Sequence, residues 1–509
     1  MFLSADIIDI EVPYLLLNIS DAKSLGIGDG DRVVVTNRKT KQSISVPVTV
    51  SKTFVKEGTA LLTAGANSDV NISSGNEIEI QPAKRPASLD FIRKKIDGGK
   101  LNRSETAAIV SDIANRVLSD AEVTSYITAS YINGMDMDEV EYLTREMIAS
   151  GDTITFSKKP VVDKHSIGGV PGNKITLLVV PIIASTGLLI PKTSSRAITG
   201  AGGTADLMEA LAPVAFSTSE VQHMTEKAGG VIVWGGATNI VPADDILISC
   251  EYPLKINGRG KMLASIIAKK AAVGSDTCVI DIPIGPGTKI ADETEGKILA
   301  GQLIDLGKRM GINVECAVTY GGAPVGRNIG VNLEVSEALH ILEKKDGFGS
   351  LVQKSCDIAG IALEMTGKAA AGKGAEAAMS QIRNGKALDK MREIIEIQGG
   401  DPKVKADDLS FGPFTYDVVS SAEGIVVSVK NRALIDIARV AGSPTDHGAG
   451  LTIHKKPGET VKKGEILLTI YAEKEWRLSE AIDLCRDMHD VITYMEDPCG
   501  PEAGYSSRE

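Results

Sequence analysis

The chain has 509 residues, of which 55 are Lys or Arg and 66 are Asp or Glu, giving a formal net charge of −11. At about 100–200 residues per domain this length predicts about three or four domains rather than one core. The acidic balance argues against a general binder of nucleic acid or anionic membrane, so any anionic ligand must be captured by local positive charge.

The amino terminus, MFLSADIIDIEVPYLLL, lacks a basic segment, and Asp6, Asp9 and Glu11 interrupt its apolar run where a signal peptide would be uniformly apolar. Residues 1–84 then alternate short β-like runs (RVVVTN, SISVPVTVS, EIEIQP) with Gly/Asp turns, which predicts a small β-barrel. The stretch QPAKRPAS at 81–88 predicts a linker. Apolar spacings of three and four in LNRSETAAIVSDIANRVLS and MDMDEVEYLTREMIAS predict an α-helical domain over 85–160, with Asn102 or Ser104 as a cap.

From 161 to 405, Gly-rich loops separate short apolar strands (GGVIVWG, CVIDIPIG, NVECAVTY) from amphipathic helices such as KMLASIIAKKAA. That alternation predicts a central α/β domain with a mainly parallel sheet. The most apolar segment, ITLLVVPIIASTGLLIP at 175–191, reads as a buried helix rather than a membrane span, because it is short and carries Ser, Thr and Gly. Residues 406–509 predict a C-terminal α/β domain with barrel-sandwich-like hairpins, one of them around Pro457-Gly458. The whole is expected to be a multidomain α/β protein. The six cysteines are scattered with no CxxC pair, which fits reduced thiols in the cytoplasm.

Two loops carry the chemistry. VVDKHSIGGVPGNKIT at 161–176 and PKTSSRAITGAGGTAD at 191–206 combine glycines, which let backbone approach a ligand, with hydroxyls and cations, and a helix starting near Thr204 would aim N–H groups at an anion. Neither has the spacing of a nucleotide P-loop, and phosphate is the expected ligand. His165, between a lysine and a serine, is a candidate substrate contact; no second metal ligand stands at a suitable spacing. Ser265 and Lys269, at i and i+4 in LASIIAKK, share one helix face and could address one ligand, or form an ordinary solvated face.

Taken together, KHSIGG at 164–169, SSRAITGAGGTAD at 194–206 and LASIIAKK at 263–270 resemble the thymidine/pyrimidine nucleoside phosphorylase superfamily over essentially the whole chain. The additional N-terminal domain and the wording of the two loops resemble its branch acting on nucleoside 5′-monophosphates. The resemblance implies phosphorolysis of AMP, and also of CMP and UMP, by inorganic phosphate, releasing the base and ribose 1,5-bisphosphate. It implies no cofactor and no metal, phosphate being a co-substrate, and a cytoplasmic homodimer or larger homo-oligomer assembled with help from a double-psi-like N-terminal barrel.

By motif position it implies nucleotide contacts at Gly169, Ser195, Arg196, Ala197, Ile198, Thr199, Gly200, Thr204, Ser265 and Lys289, and phosphate contacts at Lys164, Ser166, Ser194 and Thr204. The family's proton-donating aspartic acid, eight residues before the serine, is replaced here by Asn257, which can donate a hydrogen bond but cannot transfer a proton at useful pH. Three explanations stay open: another acid among Asp244, Asp245, Glu251 and Asp276; a base that leaves more easily; or a weak or silent nucleotide-binding assembly protein. A pyrimidine nucleoside phosphorylase is the alternative enzyme.

Overall fold

The computed structural model describes residues 1–68, 70–197, 200–344, 349–488 and 491–495. They form two compact units, Met1–Ser150 with Val241–Ser265, and Gly151–Ile240 with Ile266–Glu509.

The first unit opens with a closed six-stranded barrel of β1 (Phe2–Ile8), β2 (Leu15–Asn18), β3 (Arg32–Asn37), β4 (Ser43–Ser51), β5 (Thr59–Thr63) and β6 (Glu77–Pro82), in the order β1-β5-β2-β4-β3-β6. The β1/β5 and β2/β4 pairs are parallel and the others antiparallel. Period-two alternation turns Leu15, Leu17, Val33, Val35, Val46, Leu62, Ile78 and Ile80 inward, each essentially buried. Truncating one of these leucines or isoleucines to Ala costs about 2–5 kcal/mol.

After the 83–87 linker come helices Ser88–Ile96, Arg103–Ala114, Asp120–Asn133 and Met137–Ala149. Three of them start on reciprocal capping boxes, Asn102 with Glu105, Ser119 with Glu122 and Asp136 with Glu139. Asn102, not Ser104, is the cap of the 103–114 helix. Glu139 also holds buried Lys95 at 2.7 Å, and Arg32 of β3 ties the barrel to the bundle through Glu122 and the Val117 carbonyl. Helix Pro242–Glu251 and the first half of Arg259–Ala272 return to this unit, the former packing on Asp120–Asn133.

The second unit is built on parallel strands β7 (Val162–Ser166), β8 (Ile190–Ser194), β9 (Gly230–Trp234), β10 (Thr277–Ile284) and β11 (Asn313–Tyr320). They pair as β11-β10-β7 and β8-β9, and a parallel bridge between Val161 and Leu189 joins the two groups. The apolar segment at 175–191 splits in two, contrary to the single-helix reading. A helix, Thr176–Ser185, buried through Ala184, stops where Gly187 takes φ +83°, and the last apolar residues become β8.

Beyond β12 (Asn328–Ile329), the C-terminal strands β13 (Phe414–Val419), β14 (Gly424–Val429), β15 (Gly450–Ile453), β16 (Thr460–Val461), β17 (Ile466–Ala472) and β18 (Ile492–Met495) form two sheets, β12-β15-β17-β13 and β16-β14-β18. The turn at Pro457-Gly458 is therefore not a hairpin. It hands the chain from one sheet to the other, because the Gly458 N–H bonds the Val426 carbonyl of β14 and β15 pairs with β17 instead of β16.

Candidate active site

Parallel strands place their following loops at one edge, where open α/β sheets hold ligands. β7, β8 and β10 end at Ser166, Ser194 and Ile284, so KHSIGG and SSRAITGAGG run from the strand ends into the loops, and GPGTK lies in the loop after β10. Gly168 and Gly169 both take φ +90°, and a Cβ on Gly169 would stand 3.2 Å from the Lys289 backbone nitrogen. The first loop thus lies against Lys289 so closely that only glycine fits without strain.

The second loop folds back on itself through Asp206. Its carboxylate accepts from the Ala197 N–H at 2.7 Å, the Gly203 N–H at 2.9 Å and the Arg196 guanidinium at 3.1 Å. Arg196 is also bidentate on Glu209 and stacks 4.8 Å above the Trp234 ring, so its charge is compensated within the loop. Thr204 is half-buried at the start of the short helix Thr204–Glu209, Ser195 is exposed, and Gly200 accepts through its carbonyl from Arg439 at 3.0 Å. Ile198 and Thr199 lie outside the described residues.

Beneath these loops sits an uneven charge cluster. Lys270 pairs with Asp163 at 2.6 Å, Lys192 stands 3.9 Å from the same carboxylate, and Lys354 pairs with Asp281 at 2.9 Å. Lys164, also buried, reaches Ser166 Oγ at 3.4 Å. Four buried lysines thus share two buried aspartates, which leaves a positive excess in low dielectric. Burial, partly opposed by Asp281, holds the Lys164 ammonium down to about 8, and burial with Lys270 nearby lowers Lys192 well below the ordinary lysine range. His165, half-buried, is kept neutral by burial and by Lys270, Lys192, Lys164 and Lys289 around it.

Ser194 Oγ is buried and has no hydrogen-bond partner among the described residues. Lys174, in the same turn-rich segment as Lys164, is directed elsewhere: fully buried, it pairs with Glu337 at 2.8 Å and donates to the Asn328 carbonyl at 2.8 Å. It anchors the loop.

In the first unit, Ser265 donates to Asp244 Oδ2 at 2.6 Å, and Lys261 joins Asp244 at 3.3 Å to Glu251 at 2.8 Å. Lys269 follows one turn along the same helix, half-buried like Ser265. Asn257 is exposed, with Nδ2 3.6 Å from Met262 Sδ. Of the carboxyls weighed as substitutes for it, Asp245 is exposed and Asp276 pairs with Lys159 just before β10. The eight residues of β10, at about 3.3 Å each, separate Asp276 from the loop edge by about 25 Å.

Asp163, Lys192, Asp206, Lys270, Asp281 and Lys354 were not singled out from the sequence. Asp206 had a local signal, since an acid at the third helical position is what caps a helix start. Lys270 and Lys354 had none, because they reach the cluster from helices remote in sequence from Asp163 and Asp281.

Known proteins are similar to this chain. Residues 89–151 match the family model described as "Glycosyl transferase family, helical bundle domain", 158–388 the "Glycosyl transferase family, a/b domain", 425–491 the "Pyrimidine nucleoside phosphorylase C-terminal domain", and 6–86 the "Molydopterin dinucleotide binding domain". The chain is 68% identical over 492 residues to an AMP phosphorylase of Methanocorpusculum labreanum, covering 97% of each. It belongs to the AMP phosphorylase family. A relative so named from Methanospirillum hungatei is 53% identical over 97% of this chain and 95% of its own, and AMP phosphorylase 1 of Archaeoglobus fulgidus is 51% identical over 95% and 96%. Anthranilate phosphoribosyltransferase from Thermus thermophilus shares the fold, with a TM-score of 0.52 at 17% identity over 61% of this chain and 99% of that one. The chain is therefore a phosphorylase of the pentosyltransferase type. No helix among the described residues is long and apolar enough to cross a membrane.

Proposed function

We propose that this enzyme cleaves AMP with inorganic phosphate, releasing adenine and ribose 1,5-bisphosphate, and accepts CMP and UMP as well. The observation that carries the reading is the excess of buried lysine over buried aspartate beneath two Gly-rich loops, which suits a site for anions. Phosphate is taken up by Lys164, Ser166, Ser194 and Thr204. Lys289, Gly169 and the 195–200 loop hold the nucleotide, with Arg196 shaping that loop through Glu209 and Asp206.

Holding two anions side by side requires the local charge that an acidic surface lacks. Attack at C1′ develops positive charge on the sugar, which the neighbouring phosphate both stabilises and quenches as nucleophile, so positioning and electrostatics carry the step. His165, neutral in its lysine surroundings, donates or accepts a hydrogen bond at the loop rather than adding charge. Ser265 and Lys269 address the base. Asn257 stabilises the departing base by a hydrogen bond only. The chain acts as a homodimer or larger assembly without nucleic acid or membrane partners, and deleting residues 1–84 should lower the number of subunits per assembly, counted by light scattering.

The deciding experiment incubates purified protein with AMP, CMP, UMP and the corresponding nucleosides, with and without phosphate. Phosphate-dependent adenine release from AMP together with a bisphosphorylated sugar is expected. Release from uridine or thymidine but from no monophosphate would replace this reading with that of a nucleoside enzyme.

A further inference from the structure

The proton of the Ser265 hydroxyl is already assigned. It goes to Asp244 Oδ2 at 2.6 Å, a length typical of a hydroxyl donating to a charged carboxylate. Asp244 is fully buried, and its other oxygen stands 3.3 Å from Lys261 Nζ, which Glu251 holds at 2.8 Å from the opposite side. An ionised carboxylate can only accept, so Ser265 is the obligatory donor in this bond, and its oxygen has only lone pairs left to offer a ligand.

We propose that the chain Glu251–Lys261–Asp244 makes Ser265 an acceptor-only contact, so that a base bound against it must present an N–H. This rests on the reading of Ser265 as a base contact given above. Asp244 is then a positioning residue that selects among bases without touching them. In adenine, every ring nitrogen not in the glycosidic bond is an acceptor, so the required donor is the exocyclic 6-amino group. Cytosine meets the demand with its 4-amino group and uracil with its ring N–H. A purine with hydrogen at position 6 has no N–H on its base-pairing edge, whereas hypoxanthine, like uracil, keeps a ring N–H beside its carbonyl and meets the demand. A site built around a buried hydrogen bond rejects the analogue that lacks it more strongly than an apolar pocket does.

The polarity can be inverted by one substitution. In Asp244→Asn, the side chain gains an amide N–H that can donate, so Ser265 is no longer the obligatory donor in this bond. Ser265 can then accept from that nitrogen, which leaves its own proton free to point at the base. Requirement for a donor becomes tolerance of an acceptor.

Equilibrium binding is measured by calorimetry without phosphate, so that turnover is silent. The probes are AMP and purine riboside 5′-monophosphate, and the proteins are wild type, Asp244→Asn and Ser265→Ala. Wild type should bind AMP about tenfold to a hundredfold more tightly than purine riboside 5′-monophosphate, as expected for one hydrogen bond to a strongly polarised group. In Asp244→Asn that ratio should fall toward one. Near-equal wild-type affinities for the two purines would overturn the proposal without any variant having to fold. An unchanged ratio in Asp244→Asn, with Ser265→Ala abolishing it, would overturn the role of Asp244 while keeping Ser265 at the base. An unchanged ratio in Ser265→Ala would overturn the base contact itself.

Discussion

Ser194→Ala should stabilise the ligand-free protein while weakening its hold on phosphate. The hydroxyl oxygen at the end of β8 is buried without a hydrogen-bond partner among the described residues, and a buried polar group left unsatisfied costs about 1–3 kcal/mol. Alanine removes that oxygen and little else, so most of this cost should be recovered as stability. Because the chain has two units and more than one core, a single unfolding free energy is not defined for it. The observable is instead the midpoint of the transition that phosphate shifts, which should rise by about one to a few degrees. The same oxygen would donate to a phosphate dianion, and hydrogen bonds to charged groups contribute about 1.5–3 kcal/mol, or about a tenfold to hundredfold change in affinity. Thermal melts with and without phosphate, paired with KM for phosphate at saturating AMP, test both halves. A lowered midpoint, or an unchanged KM for phosphate, would refute the assignment of this hydroxyl as a phosphate contact held unsatisfied in the free protein.

Lys164 makes the ligand-free fold pH-sensitive. Burial holds its ammonium down to about 8 against an ordinary 10.5, so between these values the unfolded chain binds the extra proton. The ligand-free fold should therefore gain stability through this group as pH rises from 8 toward 10, and Lys164→Met should remove that component of the melt series. Phosphate affinity should fall over the same window as the ammonium is lost. Gly169→Ala should cut kcat/KM for AMP by about tenfold or more with unchanged circular dichroism, since φ +90° strains any side chain and the new Cβ meets the Lys289 backbone at 3.2 Å. Asn257→Asp should raise kcat by at least about tenfold and add an acidic limb to the pH profile, because general acid catalysis is worth about 10²–10⁴. An unchanged rate would show that base protonation does not limit turnover.

Much of the architecture was legible because it depends on short-range pattern. RVVVTN and EIEIQP alternate with period two and become β3 and β6, while Asn102, placed before an apolar helical run with Glu105 three residues on, becomes a capping box. Apolar content alone misled at 175–191, where the turn at Gly187 breaks one hydrophobic run into a helix and a strand. It misled again at Pro457-Gly458, a good hairpin turn locally, where the neighbours that compete for the strands are remote in sequence.

The sequence by itself determined that Gly-rich loops bearing hydroxyls and cations stand at the ends of β7 and β8 and that Ser265 and Lys269 share a helix face, because glycine, hydroxyl and helical spacing are properties of contiguous residues. Only the tertiary structure decided how those groups are charged and which are occupied. Lys174, in the same segment as Lys164, is consumed by Glu337 and carbonyls, and Arg196 is neutralised by Glu209 and Asp206. The lysine cluster is completed by Lys192, and by Lys270 and Lys354 paired with Asp163 and Asp281, reached across other strands and helices. Burial and the pairing of charges depend on what the fold brings within a few ångströms, and sequence separation carries no information about that distance.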